Sequence, residues 1–350
     1  MSIFEGKKIK IKTFGESHSE FIGASVSGVG KIKIDYDKLT AFLERRKPYK
    51  EFCGTERTES DIPVFSGVED GVINGDFSFE IANTDVKKSD YGELYAKPRP
   101  SHADVAAYLK DGTLDFTGGG RFSGRLTAVL CVIGGIFKEE LEKRGVKIAA
   151  YISSVGGVNG TTYKTGVPEY KTVIEKRQGF PSLSAKKEML EKINDIKLAG
   201  DSVGGRAECI VYGLKPGVGN DMFEGLEGKI SSLLYAIPAV KGVEFGLGFD
   251  FADSYGTAVN DEMRFNGDKI EFLSNNAGGI YGGISVGLPI TFGVAIKPTP
   301  SIKKPQRTVD LVKKQNVTIE ITGRHDACIA VRAIPCIEAA AAIAIYDELL

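Results

Sequence analysis

Residues 7–13 read Lys-Lys-Ile-Lys-Ile-Lys-Thr, an alternation of period two that predicts a strand with one buried face. The same alternation, or a short apolar run bounded by turn residues, predicts strands over 21–29, 64–68, 77–82, 147–155, 203–212, 243–249, 270–272 and 285–297. Apolar spacing of three and four predicts helices over 37–46, 105–110, 126–143, 184–198, 223–236 and 337–350. Candidate caps are Asp37, Ser184 and Ser101, the last with Asp104 three residues on in an approximate capping box; Pro48 and Pro238 are the stops. The 126–143 segment is apolar in its first half and charged in its second, the pattern of a core helix emerging into solvent. The alanine-rich C-terminal helix can pack closely. Three stretches lack periodicity: 83–98 is expected as an ordered covering loop, 156–176 as an insertion or surface lobe, and 303–316 as a charged loop. Strands and helices intermingle without regular βα repeats, and no linker separates them. That predicts an α+β fold, as one domain or as two lobes packed on each other, rather than a doubly wound parallel sheet.

Charge and cysteine usage narrow the classes. Lys+Arg number 45 against Asp+Glu 46, so no bulk field favours nucleic acid, and no basic stripe is interleaved with aromatic residues. The cysteines Cys53, Cys131, Cys209, Cys328 and Cys336 are odd in number, form no C-x-x-C pair and fall mostly in apolar runs. This is the usage of a reducing, cytoplasmic compartment without a zinc site. The first eight residues lack the apolar run of a signal peptide, and no apolar run is long enough to span a bilayer.

Candidate chemistry concentrates between Arg99 and Arg125: Arg-Pro-Ser-His-Ala-Asp, a short helix, then Gly-Gly-Gly-Arg-Phe-Ser-Gly-Arg leading into the long apolar helix. The glycine triplet permits positive φ and close backbone approach, and free N–H groups at a helix start favour an anion. All three histidines sit beside carboxylates in polar segments: Glu16-Ser17-His18, His102-Ala103-Asp104 and Arg324-His325-Asp326. Imidazole exchanges protons near neutral pH, and a carboxylate can orient the ring or keep it charged. The basic groups Arg45, Arg46 and Lys47, Arg57, Arg99, Arg121 and Arg125, and Arg324 are dispersed, which suits a small polyanion. Surface charges and loop histidines remain the bland alternative. A three-histidine metal site is a competing reading, weakened by the absence of short ligand spacing and by adjacent arginines. No P-loop occurs, and Gly246-Leu247-Gly248 lacks the third glycine of a dinucleotide fingerprint.

The ordered set Gly15-Glu16-Ser17-His18, Arg99-Pro100-Ser101-His102-Ala103-Asp104, Gly118-Gly119-Gly120-Arg121-Phe122-Ser123, Ala239 to Gly246, Asn276 to Ser285 and Gly323-Arg324-His325-Asp326 resembles the motifs of the chorismate synthase family over nearly the whole chain. The resemblance implies a single domain over residues 1–350, a β-α-β sandwich with helices between antiparallel sheets, assembled as a homotetramer. It implies anti 1,4-elimination of phosphate from 5-enolpyruvylshikimate 3-phosphate to give chorismate. That reaction needs reduced FMN without net redox change, and here the reductant, such as NADPH, would act through a separate flavin reductase. A non-catalytic flavin- or phosphometabolite-binding protein and a metal-dependent phosphate lyase are the alternatives.

Carried across by motif, His18 lies by the substrate phosphate, His102 serves the protonation of the flavin, and Asp326 belongs to a proton relay with Ser17 and Ser123. Arg45, Arg46 and Arg57, with Ser17 and His18, match substrate positions. Arg121, Phe122, Ser123, Pro238, Ala239, Gly282, the loop Lys297, Pro298, Thr299, Pro300 and Ser301, and Arg324 match cofactor positions. The chain departs from the family pattern at several places: Ser19 and Ser101 stand where glycine is common, Tyr49 and Phe52 where glycine and arginine are, Phe122 where a serine is, and Pro238 where an asparagine is.

Overall fold

The alternating N-terminal segments pair into an antiparallel sheet whose apolar face turns inward. The computed structural model describes residues 2–47, 60–84, 94–116, 119–321 and 326–350. The first sheet holds β1 (Ser2–Glu5), β2 (Lys10–Phe14), β3 (Phe21–Ser27), β4 (Lys31–Lys33), β5 (Pro63–Glu69) and β6 (Val72–Ala82), in the order β1-β2-β3-β6-β4 with β5 also on β6. Ile11, Ile22, Ala24, Val26, Phe77, Phe79 and Ile81 alternate along these strands and are buried. The first helix, α1 (Tyr36–Glu44), starts one residue ahead of the predicted cap. Asp35, not Asp37, accepts the Lys38 backbone N–H at 3.1 Å, and Asp37 falls within the first turn.

The chain continues through α2 (Asp104–Asp111), α3 (Thr127–Lys143), β7 (Lys147–Val155), β8 (Val158–Asn159), α4 (Tyr170–Lys176), α5 (Lys186–Leu198), β9 (Gly205–Tyr212), α6 (Leu226–Tyr235), β10 (Val240–Phe245) and α7 (Gly256–Val259). The hairpins β11 (Met263–Asn266)–β12 (Lys269–Phe272) and β13 (Ile280–Tyr281)–β14 (Ile284–Ser285) precede β15 (Ile290–Ile296). A last hairpin, β16 (Gln306–Asp310)–β17 (Gln315–Ile319), leads to α8 (Ala330–Glu348). The second sheet, β10-β15-β9-β7-β8, is antiparallel throughout. Helices α3 and α8 lie between the sheets: α3 packs on α1 and β3, and α8 on β7, β9 and α6. The architecture is the expected β-α-β sandwich.

The two central helices run parallel, since Cys131 meets Cys336, Gly134 meets Ala339 and Phe137 stacks on Tyr346 at 4.4 Å. A Cβ on Gly134 would overlap the Ala339 backbone, so glycine and alanine here are what let the helices touch.

Several sequence expectations are corrected. The C-terminal helix begins at Ala330 rather than 337 and carries Pro335 inside it, a proline that forgoes one helical hydrogen bond where packing on both sides holds the helix. The 156–176 stretch is not a surface lobe: Tyr163 and Val173 join Ala149, Tyr151, Leu183 and Ile210 in a second core on the outer face of β7 and β9. Residues 303–316 are largely hairpin, its alternation masked by charged outward positions. The strand expected over 285–297 breaks at Gly287, whose φ is +88°. That expected over 243–249 ends at Phe245, where Gly246 and Gly248 turn the chain into a 3-10 segment, Gly248–Asp253. Ser184 does not cap its helix; its hydroxyl accepts the Thr161 N–H at 2.8 Å. Among the described residues no helix is long and apolar enough to cross a membrane.

Candidate active site

A cavity of about 1030 Å³ opens among the N-terminal end of α3, the C-terminal end of α6, the first turns of α8 and the loops before α2 and after β15. His18, His102 and Asp326, distant in sequence, all line it. So do Arg46, Arg121, Phe122, Ser123, Pro238, Ala239, Lys297, Thr299, Pro300 and Ser301. Leu126, Leu130, Ile133, Leu233 and Ile237 supply an apolar wall. Concave, mostly apolar space with a few convergent polar groups is the usual form of a small-molecule site.

Four expected positions lie elsewhere. Ser17 is buried behind His18, its Oγ 2.8 Å from His18 Nδ1, so it orients the ring from outside the cavity. Arg45 does not face the cavity: it forms a two-pronged pair with the fully buried Glu338, at 2.8 and 2.9 Å, which Arg177 and the Ala150 N–H also contact. These cations outweigh burial and hold Glu338 well below the usual carboxylate range. The adjacent arginines at the end of α1 therefore serve different ends, one the core and one the cavity. Gly282 sits in the β13–β14 turn and Pro298 packs against Gly204; neither lines the cavity. Arg57 and Arg324 lie outside the described residues, as do Tyr49 and Phe52.

The cationic end of the cavity is built on Asp61. Its carboxylate takes two hydrogen bonds from Arg46, at 2.7 and 3.1 Å, and pairs with Arg125. Burial alone would raise the Asp61 pKa; the two guanidinium groups overcome it and lower it. Arg46 also donates to Thr127 Oγ1 at 3.1 Å, and Arg125 to Asn83 Oδ1 at 2.8 Å. Both arginines are buried apart from the cavity-facing side. Arg332 holds Asp326 Oδ2 at 2.7 Å and the Arg46 carbonyl at 3.1 Å, leaving Asp326 Oδ1 buried without a hydrogen-bond partner among the described residues. Sequence reasoning placed Arg125 among the basic groups but gave it no role, and it missed Asp61 and Arg332. Asp61 stands among ordinary polar loop residues, and only its left-handed φ of +50° and burial set it apart.

His102, also on the cavity, is fixed by a carboxylate, as its spacing suggested. Asp104 Oδ1 bonds His102 Nδ1, and Arg99 pairs with the same carboxylate at 2.8 Å through both Nε and Nη2. Burial opposes ionisation of Asp104, but these bonds bring its pKa down to about 2. The capping role expected of Ser101 is absent: the helix begins after Ala103, and Ser101 has φ +59°, a conformation glycine adopts without strain. Its carbonyl instead accepts Lys297 Nζ at 2.6 Å. The substitution at Ser19 is benign: its hydroxyl bonds the Glu16 N–H and carbonyl within the turn, at 2.7 and 2.8 Å.

The segment before α3 is two 3-10 turns, Gly120–Phe122 and Gly124–Leu126, rather than the start of an open helix. Ser123 Oγ caps the Arg125 N–H at 3.2 Å, while Arg121 pairs with Asp111 and lies over the Phe122 ring. Lys241 and Lys297 add charge on the facing wall, and burial with mutual repulsion lowers the Lys297 pKa. Thr299 Oγ1, like Asp326 Oδ1, is buried with no partner among the described residues. An apolar wall, flanking cations and two unmet polar atoms fit a planar aromatic group that carries a phosphate. Among the described residues no group of three or more His, Cys, Asp or Glu could hold a metal ion.

The family model described as chorismate synthase matches residues 9–350. Chorismate synthase of Thermococcus kodakarensis is 40% identical over 349 residues, covering 99% of this chain and 97% of the relative. That of Korarchaeum cryptofilum is 39% identical over 350 residues, covering 99% and 96%. A solved structure described as a crystal structure of chorismate synthase aligns with TM-score 0.77 at 25% identity, over 99% of this chain and 93% of the other.

Proposed function

The chain belongs to the chorismate synthase family of enzymes, and on that premise we propose how its cavity performs the elimination of phosphate from 5-enolpyruvylshikimate 3-phosphate. The observation that carries the reading is the convergence of His18, His102 and Asp326, from three distant segments, on one cavity whose cationic end is Arg46 and Arg125.

The substrate phosphate sits at the Arg46–Arg125 end, where Asp61 fixes both guanidinium groups and so pre-orients donors for the departing charge. With the Ser17 hydroxyl donating to His18 Nδ1, the ring proton lies on Nε2, placed to neutralise the leaving phosphate. Asp104 accepts from His102 Nδ1 and leaves Nε2 for the cavity, as a site that can take up or release a proton beside the cofactor. Asp326, with one oxygen on Arg332 and the other without a partner among the described residues, is the acceptor for the hydrogen lost from the ring. The elimination breaks one C–O and one C–H bond and forms one C=C bond. Reduced FMN, if bound, would supply electron density for the departure of phosphate without net redox change. Arg121, Ser123, Lys241, Lys297 and Thr299 would hold it, with its ring system on the apolar wall.

The reading extends to a cytoplasmic enzyme that receives reduced flavin from a separate NADPH-dependent reductase and assembles as a homotetramer. An anaerobic assay with chemically reduced FMN tests the activity. Chorismate should form from 5-enolpyruvylshikimate 3-phosphate and be unaffected by a chelator. Binding of both ligands without chorismate would leave a non-catalytic binding protein, and loss of turnover with chelator would leave a metal-dependent lyase.

A further inference from the structure

Cys336, on α8, lines the cavity although its side chain is almost wholly buried. Its Sγ lies 3.7 Å from the Sγ of Cys131 on α3, which is buried and does not reach the cavity. The pair spans the parallel contact of the two central helices, one turn from Gly134 and Ala339. The two thiols differ in character. The hydrogen bond from Cys131, then Arg46, Thr127 and Arg332, outweigh burial and bring Cys336 down to about 7. Cys131 is pushed up by burial and by its bond to Cys336. A thiolate beside guanidinium groups with a path to solvent is the reactive kind of cysteine, and a protonated thiol within reach is the kind that resolves its oxidised form. Cys209 and Cys328 are buried, do not line the cavity and have raised pKa values.

We propose that Cys336 and Cys131 form a redox-sensitive dithiol in the cavity wall, Cys336 attacking a small hydroperoxide that enters the cavity and Cys131 closing a Cys131–Cys336 disulfide. In the first step the Cys336 sulfur forms a bond to the terminal oxygen, the O–O bond breaks, and hydroxide leaves and takes up a proton as water. In the second the Cys131 sulfur attacks the resulting sulfenic acid; the S–S bond forms, the S–O bond breaks, and a second water departs with the Cys131 proton. Two thiols lose two electrons, and hydrogen peroxide gains them. Closure brings the sulfurs from 3.7 Å to about 2 Å in the wall that Arg46 and Arg332 also line, so it alters that part of the cavity. The proposal stands independently of the reaction assigned to the cavity.

The test uses the folded full-length chain, reduced, freed of reductant and exposed to hydrogen peroxide, with intact mass and non-reducing peptide mapping as readouts. The expected product is about 2 Da lighter, links Cys131 to Cys336, and reverts with dithiothreitol. Cys131→Ser should instead stop with position 336 about 16 Da heavier and trapped by dimedone. Cys336→Ser should leave Cys131 unmodified over the same interval, at least roughly tenfold slower than the wild-type reaction. A disulfide through any other cysteine, Cys131 oxidised as fast in Cys336→Ser, or no reaction in the folded wild-type chain would overturn the proposal. If either variant fails to fold, the wild-type peptide map decides alone.

Discussion

Asp104 is a buried charge that the Arg99 guanidinium and a hydrogen bond from His102 hold in place, and its energetics can be read as a pH dependence. Its pKa is about 2 in the folded chain against 3.8 for the free side chain, so the folded state prefers the carboxylate. The stabilisation is fully present above pH ~4 and is lost as pH falls through about 2; it amounts to roughly 2 kcal/mol. Asp104→Asn should remove about that much stability at pH 7 and flatten the stability profile between pH 4 and 2, as measured by urea unfolding at stepped pH. An unchanged profile would mean that the Arg99 and His102 bonds do not form in solution. The spacing His102-Ala103-Asp104 made the pair visible in the sequence because both partners sit two residues apart. Asp61, doing the same for Arg46 and Arg125, was not visible: its partners lie just after α1 and just before α3, and only the fold brings them together. Arg45 and Arg46 show the limit from the other side. Adjacent arginines look alike in a sequence, and which one reaches the cavity depends on the rotation of α1 against α8, where Glu338 waits for the other.

At the scale of elements, the α3–α8 contact sets the site, because α3 starts at the cationic end of the cavity and α8 carries Arg332 and Cys336 into it. The apolar character of both helices and the alanine run 339–342 were plain in the sequence, and close packing follows from them. Their parallel direction was not, since it depends on the order of strands between them. Gly134→Ala separates propensity from packing. Alanine is the better helix former by about 1 kcal/mol, yet its Cβ would overlap Ala339. The overlap should win, for a net loss of about 1–3 kcal/mol and a displaced α8. Thermal unfolding checks the loss, and Ala339→Gly in the same chain should recover part of it; a stabilised Gly134→Ala protein would show that the helices do not touch there. The hairpin β16–β17 was missed because charged outward positions hide alternation in short strands, and the second core because 156–176 contributes only Tyr163 on a 3-10 turn and Val173 on the two-turn α4, too few apolar positions for a period to show.

The whole molecule presents an apolar face that its own core does not use. In the ribbon β11–β12, Met263 faces Phe272 and Phe265 faces Ile270, so these four side chains share one side, while Arg264 and Glu271 pair at 2.7 Å on the other. Phe265 is 76% and Ile270 59% exposed, and Phe249 and Tyr255 just before the ribbon are also exposed. A two-stranded ribbon is marginal alone, and a one-sided apolar ribbon in water gains most by covering that side. The sequence hid this surface because only 270–272 reads as a strand, and without its partner 263–266 no shared apolar face is visible. Self-association through the ribbon is therefore expected, in line with the homotetramer proposed above. Replacing Phe265 and Ile270 together with Glu and Lys keeps their cross-strand pairing and removes the apolar face. Sedimentation velocity should find the native chain assembled at micromolar concentration and the double variant shifted towards monomer, with far-UV circular dichroism unchanged. A native chain that stays monomeric at every concentration, or a double variant that assembles equally well, would assign the exposed ribbon to something other than contact between copies of this chain.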